Sequence, residues 1–126
     1  MKAKLNIVFL CVLAACSLVL LGCSEKADES KPVSEVKAEA EKMSAADLKA
    51  TATTYKDAIT AKAGEIDKLT AKLKEIPVTE ALGKEAKQIK ADMEAVTKSV
   101  SALKERFQVY YDTLKEKGED VSGLKI

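Results

Sequence analysis

The chain has 126 residues, with 21 basic and 20 acidic side chains, no histidine and three cysteines. The lack of histidine excludes Ser-His-Asp triads, histidine acid–base chemistry and metal sites that depend on imidazole. The near-neutral charge excludes the basic field that nucleic-acid binding needs, and the five glycines form no phosphate-binding loop. We therefore expect no enzyme, no cofactor, no metal site and no nucleic-acid partner.

The N-terminal residues 1–22 have the layout of a secretory signal. Lys2 and Lys4 form a positive start, and residues 7–21 supply an uncharged apolar stretch of the right length. Fold analysis therefore begins at Cys23. Removing the two lysines from the 21 basic residues leaves 19 against 20 acidic ones, so the mature chain has a net charge of −1.

A short motif closes this apolar stretch. Leu20, Leu21, Gly22 and Cys23 resemble the lipobox of bacterial lipoproteins. The resemblance implies cleavage before Cys23 and a thiol that carries acyl chains, two or more of which give stable membrane anchoring. Ser24 stands where aspartate would favour the inner membrane in enteric bacteria. The resemblance thus implies a lipid-anchored envelope protein, on the outer membrane and facing the periplasm.

An uncleaved membrane anchor is the alternative, because no charge interrupts residues 5–24 and about 20 apolar residues can span a bilayer. Both interpretations export the remainder of the chain. Cys11 and Cys16 lie within the signal and Cys23 is the predicted lipidation site, so no thiol remains for a disulfide or for catalysis.

Residues 23–43 read mainly as a flexible tether, rich in Ser, Glu, Lys and Asp. Such a coil would reach about 25 Å and hold the domain clear of the lipid head groups. Its apolar residues recur at intervals of three and four from Val33 to Met43, which is also consistent with a short helix over 34–42. Whether that helix forms and docks stays open.

Residues 44–118 predict an antiparallel helical hairpin, with helices over about 45–76 and 80–117. Ser44 and Asp47 resemble a capping box at the start of the first helix. Pro77 ends that helix because it lacks an amide hydrogen. Gly118 ends the second helix because glycine readily adopts a left-handed cap. Residues 119–126 form a tail.

Apolar residues in both helices alternate at intervals of four and three over more than four heptads, which predicts coiled-coil-like packing of an all-α fold. Lys62 is the one polar interruption, and the stem of its side chain can cover the seam while the ammonium reaches water. A five-residue loop makes the helices antiparallel neighbours, which places Tyr55 opposite Leu103 and Leu48 beside Tyr110. The predicted seam consists of Leu48, Ala52, Tyr55, Ile59, Ile66, Leu69, Leu73, Ile76, Leu82, Ile89, Met93, Val96, Val100, Leu103, Phe107, Tyr110 and Leu114.

A two-helix seam buries little area, so we expect something to cover its open sides. The short helix over 34–42 would complete a three-helix bundle, and the tail offers Val121, Leu124 and Ile126. Self-association is the alternative, since Ala95, Ala102 and Val109 repeat every seven residues beside the seam. The sequence slightly favours the intramolecular solution.

The overall plan resembles the major murein lipoprotein of enteric bacteria, a helical spacer of the outer membrane. That family ends in a lysine joined to peptidoglycan, whereas Lys125 is followed here by Ile126, and Pro77 breaks the single helix. We expect a structural, spacer or adaptor component that meets a protein partner through its helices. The alternative is a periplasmic carrier or inhibitor whose helices accept an apolar or helical ligand.

Overall fold

A computed structural model describes residues 26–126, which form three helices: α1 (Val33–Lys42), α2 (Ala45–Glu75) and α3 (Lys84–Glu116). Short 3-10 turns lie at Val78–Glu80 and Ser122–Leu124. Helices α2 and α3 pack along each other as a hairpin, and α1 packs against α3. The predicted all-α hairpin is confirmed, while the signal and the lipobox lie outside the described residues.

The ends of the long helices follow from local chemistry. Ser44 caps α2 by accepting a hydrogen bond from the Asp47 amide at 3.2 Å, and its hydroxyl donates to the Asp47 carboxylate at 2.7 Å. Ile76 is extended, with ψ at 127°, as expected before Pro77. Gly118 has φ at +77°, and the amides of Gly118 and Glu119 donate to carbonyls of the last turn in a Schellman motif.

The loop differs from the prediction at one seam position. Leu82 is 81% exposed, because Val78–Glu80 forms a 3-10 turn and α3 begins only at Lys84. Gly83 closes the loop by donating its amide to the Glu80 carbonyl at 2.7 Å. A Cβ at this glycine would lie 2.9 Å from the same oxygen, so the tight turn requires glycine. Leu82 is thus a tip residue and the prediction that it joins the seam is wrong.

The core lies at one end of the hairpin, which we call the base. It combines the lower halves of α2 and α3 with α1 and the tail, and the ring of Tyr55 lies 5.4 Å from that of Tyr110. The predicted register places these two tyrosines two layers apart, with Ala52 and Phe107 in the layer between them. Long side chains that lean toward their own helix N-termini can bridge such a gap in an antiparallel pair. The buried residues of this core are Val36, Ala40, Leu48, Ala52, Tyr55, Ile59, Leu103, Phe107, Tyr110, Leu114 and Leu124.

Helix α1 covers one side of the base. Val36 and Ala40 are fully buried, and Lys117 ties the end of α1 to α3 by donating to the Met43 carbonyl at 2.9 Å. The short helix that the sequence left open is therefore formed and docked, with Met43 partly buried against the core. The prediction of a mainly flexible tether over 23–43 is corrected for residues 26–43, which pack on the hairpin.

Candidate interaction surfaces

The predicted seam residues separate into two groups along the hairpin. Those at the base, together with Ile89 near the tip, are buried. Those of the distal half, which we define as residues 60–98, are mostly half-exposed, and Leu82 is exposed. The half-exposed seam positions are Ile66, Leu69, Leu73, Ile76, Met93, Val96 and, at the boundary with the base, Val100.

The distal half is a groove between two helices that lies beyond the core of the base. The apolar core that α1 and the tail complete ends near Ile59 and Val100. Lys62 lies at the lower end of this groove, with its side chain 36% exposed and its ammonium 3.8 Å from the Glu65 carboxylate. The groove thus offers a strip of aliphatic side chains bordered by charges, a pattern that suits a third helix.

A polar stripe on α3 carries the docked N-terminal segment and was missed from the sequence. Ser99, Arg106 and Thr113 are each less than 10% exposed. Arg106 donates from Nε to the Lys31 carbonyl at 2.8 Å and from Nη1 to the Ala102 carbonyl at 2.7 Å. Their seven-residue spacing was the available signal, because it keeps them on one face beside the seam.

The segment from Lys26 to Pro32 is held against the upper part of the base, at Tyr55 of α2 and at Ser99 and Arg106 of α3. The Asp28 amide donates to the Tyr55 hydroxyl at 3.1 Å, and that hydroxyl donates to the Asp28 carbonyl at 3.1 Å. The Ser99 hydroxyl donates to the Glu29 carboxylate. The hydroxyl and then the amide of Ser30 hold the pKa of the Asp28 carboxyl below its usual value. These contacts position residues 26–32 beside Tyr55 rather than at an end of the molecule.

The tail forms a second surface. Leu124 is buried, Val121 is partly buried and Ile126 is 59% exposed, so two of the three predicted tail residues contribute to the core. Lys56 donates to the Gly123 carbonyl at 2.8 Å and fixes the tail to α2. A shallow cleft remains between the tail and α3, and its lining includes Lys104, Phe107, Gln108, Tyr111, Leu124, Lys125 and Ile126.

Of the three side positions offered for self-association, only Val109 packs against the core within the chain. Ala102 and Val109 are half-buried, and Val109 packs against the core, whereas Ala95 is exposed. Tyr111 also packs inward, with its ring 5.8 Å from that of Phe107. This part of α3 therefore serves the intramolecular bundle.

Within residues 26–126, no group of three or more His, Cys, Asp or Glu side chains is arranged to hold a metal ion. None of the helices in this described part is both long enough and apolar enough to cross a membrane. The lipidation site Cys23 and the cleavage motif of Leu20, Leu21 and Gly22 lie outside it. No family model, curated protein or solved structure matches the chain.

Proposed function

We propose that the protein is a lipid-anchored component of the cell envelope, on the outer membrane and facing the periplasm. In this proposal it acts as a structural, spacer or adaptor component by binding a helix of a protein partner. The anchor is supported by the sequence alone, through the positive start, the apolar stretch and the motif that ends at Cys23. Acyl chains on Cys23 would be its contact with the membrane.

The observation that carries the adaptor role is the uneven covering of the hairpin. At the base, α1 and the tail complete the core. In the distal half most seam positions stay half-exposed, and only Ala86 and Ile89 of α3 are buried among them. A partner helix laid in this groove would bury aliphatic side chains such as Ile66, Leu69 and Met93 without disturbing the base. Each such side chain contributes about 1 to 2 kcal/mol when it passes from partial to full burial.

Site-specific photo-crosslinking in cells tests the adaptor role. Ala63 and Ala61 are both exposed on α2, but Ala63 flanks the groove and Ala61 lies about 200° away around the helix. A crosslinking residue at Ala63 should capture a discrete protein, and the same residue at Ala61 should capture much less of it. Equal capture at both positions, or a product of two copies of this chain, would contradict the adaptor role.

Acylation tests the anchor separately. Cells fed labelled palmitate should label the wild-type chain and leave Cys23→Ser unlabelled and outside the membrane fraction. Because the helices α1, α2 and α3 all begin downstream of Cys23, the helical content of the variant should not change. Labelling of the variant would exclude Cys23 as the lipidation site.

A carrier or inhibitor of an apolar ligand is the second candidate, favoured by the cleft under the tail. Phe107 and Tyr111 line it beside two lysines and the exposed Ile126, so it combines an aromatic floor with positive charge. Native mass spectrometry of residues 24–126 isolated from the periplasm tests this candidate. A co-purified molecule that is lost in Tyr111→Ala would support it, and a ligand-free mass would contradict it.

A further inference from the structure

The groove of the distal half is bordered by two edges, one of which continues down to the tail. At the base, Lys56 of α2 donates to the Gly123 carbonyl of the tail at 2.8 Å. Lys104 and Tyr111 of α3 line the cleft under the same tail. Lys56, Lys104 and Tyr111 each directly follow a seam position of their helix. The residues that follow the seam therefore form one edge, which we call the tail edge.

The opposite edge carries the docked N-terminal segment. Ser99 and Arg106 of α3 contact that segment, and each directly precedes a seam position. The residues that precede the seam therefore form the second edge, which we call the α1 edge. In the distal half this edge is exposed and carries three carboxylates and one ammonium group, on Glu65, Lys72, Glu85 and Asp92. A partner on this side would have to cover charges of both helices.

The tail edge of the distal half has mostly short side chains whose hydroxyls are already hydrogen-bonded. Within the helices this edge consists of Ala63 and Thr70 of α2 together with Lys90 and Thr97 of α3. Each threonine hydroxyl donates to the carbonyl four residues before it, at 2.8 Å for Thr70 and at 2.7 Å for Thr97. A helix packed over this edge would therefore leave neither hydroxyl without a partner. The short side chains also let such a helix approach the seam closely.

The two edges therefore differ in what it costs to cover them. On the α1 edge, a helix would remove water from carboxylates such as Glu65 and Asp92, and a charge that loses water without gaining a partner is strongly destabilising. On the tail edge of the distal half only Lys90 is charged, and its aliphatic stem can pack on a helix while the ammonium stays in water. The aliphatic strip of the groove is thus reached at lower cost across the tail edge.

The charge of the tail edge indicates the chemistry of the partner. Along both helices this edge carries no carboxylate and four lysines, which are Lys49, Lys56, Lys90 and Lys104. Lys90 lies beside the middle of the groove, and Lys104 lies at its lower end, about 21 Å away along α3. Glu94, on the outer side of this edge, is paired with Lys98 at 2.8 Å. Acidic side chains of a partner would be attracted to the edge, whereas basic ones would be repelled.

We propose that the partner of the groove is an amphipathic helix that enters across the tail edge and presents acidic residues to Lys90 and Lys104. This proposal deepens the adaptor role and rests on it. The groove runs about 21 Å from Ile76 to Lys62, so a helix of about five turns fills it and reaches the lower lysine. A second copy of this chain suits the site poorly, because two lysine edges would face each other.

Photo-crosslinking in cells from single positions of the full chain tests the edge of entry. Thr97 on the tail edge and Asp92 on the α1 edge are both exposed on α3. A crosslinking residue at Thr97 should capture a discrete protein severalfold more strongly than the same residue at Asp92. Equal capture at both positions, or stronger capture at Asp92, would overturn the proposal.

Charge reversal beside the capture site tests the acidic flank of the partner. With the crosslinking residue at Thr97, Lys90→Glu replaces an attraction by a repulsion and should lower capture about fivefold. Lys68→Glu is the matched control, because it reverses the same charge at an exposed position two residues from Thr70, about 200° away from the tail edge. Capture should be unchanged in this control. Unchanged or stronger capture in Lys90→Glu would overturn the acidic flank.

Failure of this proposal and failure of the adaptor role give different results. Mass spectrometry of the product identifies the captured segment, which should show apolar residues at helical spacing and Asp or Glu within one turn of the link. A segment without acidic residues, or lipid in place of protein at Thr97, would overturn the proposal. A protein captured at Asp92 but not at Thr97 leaves the adaptor role in place and overturns entry across the tail edge alone. No captured protein at either position contradicts the adaptor role, and this proposal falls with it.

Discussion

The docking of α1 depends on very few side chains, so its energetics can be tested by one deletion. Val36 is fully buried between α1 and the hairpin. Val36→Ala removes two methyl groups, each worth about 0.8 kcal/mol in transfer from water. With a small cavity term, the total loss is about 2 kcal/mol.

Val33 provides the matched control, since it is the same residue type in the same helix, one turn earlier, and is 38% exposed. Val33→Ala should change stability by no more than about 0.5 kcal/mol, as is usual for exposed positions. Val33 is the first residue of α1 and Val36 lies inside it, so the higher helix propensity of alanine offsets part of the loss in Val36→Ala only, by a few tenths of a kcal/mol. Any remaining difference reports burial.

Urea unfolding followed by circular dichroism, together with amide hydrogen exchange, measures both variants on unlipidated residues 24–126. If α1 unfolds with the hairpin, Val36→Ala lowers the free energy of unfolding by the full amount. If α1 opens alone, its amides exchange about 30-fold faster while the hairpin is unchanged. Equal effects of the Val33 and Val36 substitutions, on both observables, would refute the docked position of α1.

Four further substitutions test separate contacts. Tyr55→Phe removes the hydroxyl that bridges both backbone groups of Asp28, so it should cost about 1 kcal/mol and speed exchange of the Asp28 amide; unchanged exchange would contradict the bridge. Lys62→Leu should stabilise the seam by about 1 kcal/mol and raise the melting temperature by several degrees, whereas a fall would mean that the ammonium is needed. Leu82→Ser should leave the melting temperature unchanged, because this side chain is 81% exposed. A large fall in the melting temperature would mean that Leu82 packs in the seam. Gly118→Ala should lower the free energy of unfolding in urea by about 1 kcal/mol, because φ is +77° there. An unchanged free energy of unfolding would contradict the left-handed cap.

The hairpin was predictable because its signals are local or periodic. The alternation of four and three extends over both long helices, and Ser44, Pro77 and Gly118 act through their own backbone and side-chain chemistry. Leu82 was misplaced for a related reason. A periodic pattern continues through a loop when an apolar residue happens to fall at the next position, whereas Gly83 and the 3-10 turn decide where α3 begins.

The docking of the N-terminal segment was not decidable from periodicity. Only Val36 and Ala40 of α1 are fully buried, and two small apolar residues among charged ones are compatible with a solvated linker. The segment before α1 is held through backbone groups at Asp28 and Lys31, which carry no sequence signal. Arg106, which donates to the Lys31 carbonyl, resembles an ordinary surface residue until the stripe that includes it is recognised.

Docking of α1 also connects the proposed spacer and adaptor roles, because the same residues determine the length of the proposed tether. With residues 28–43 held on the hairpin, an anchor at Cys23 leaves about 18 Å of chain before Asp28 and keeps that point near the lipid. A spacer role needs the roughly 25 Å of the free segment, which requires α1 to leave the base and expose Val36, Ala40 and part of the core. Any partner that binds the hairpin far from the membrane must therefore supply the free energy of releasing α1. Val36→Ala lowers that requirement by about 2 kcal/mol, so it should strengthen binding to a distant partner about 30-fold and leave binding to a membrane-proximal partner unchanged.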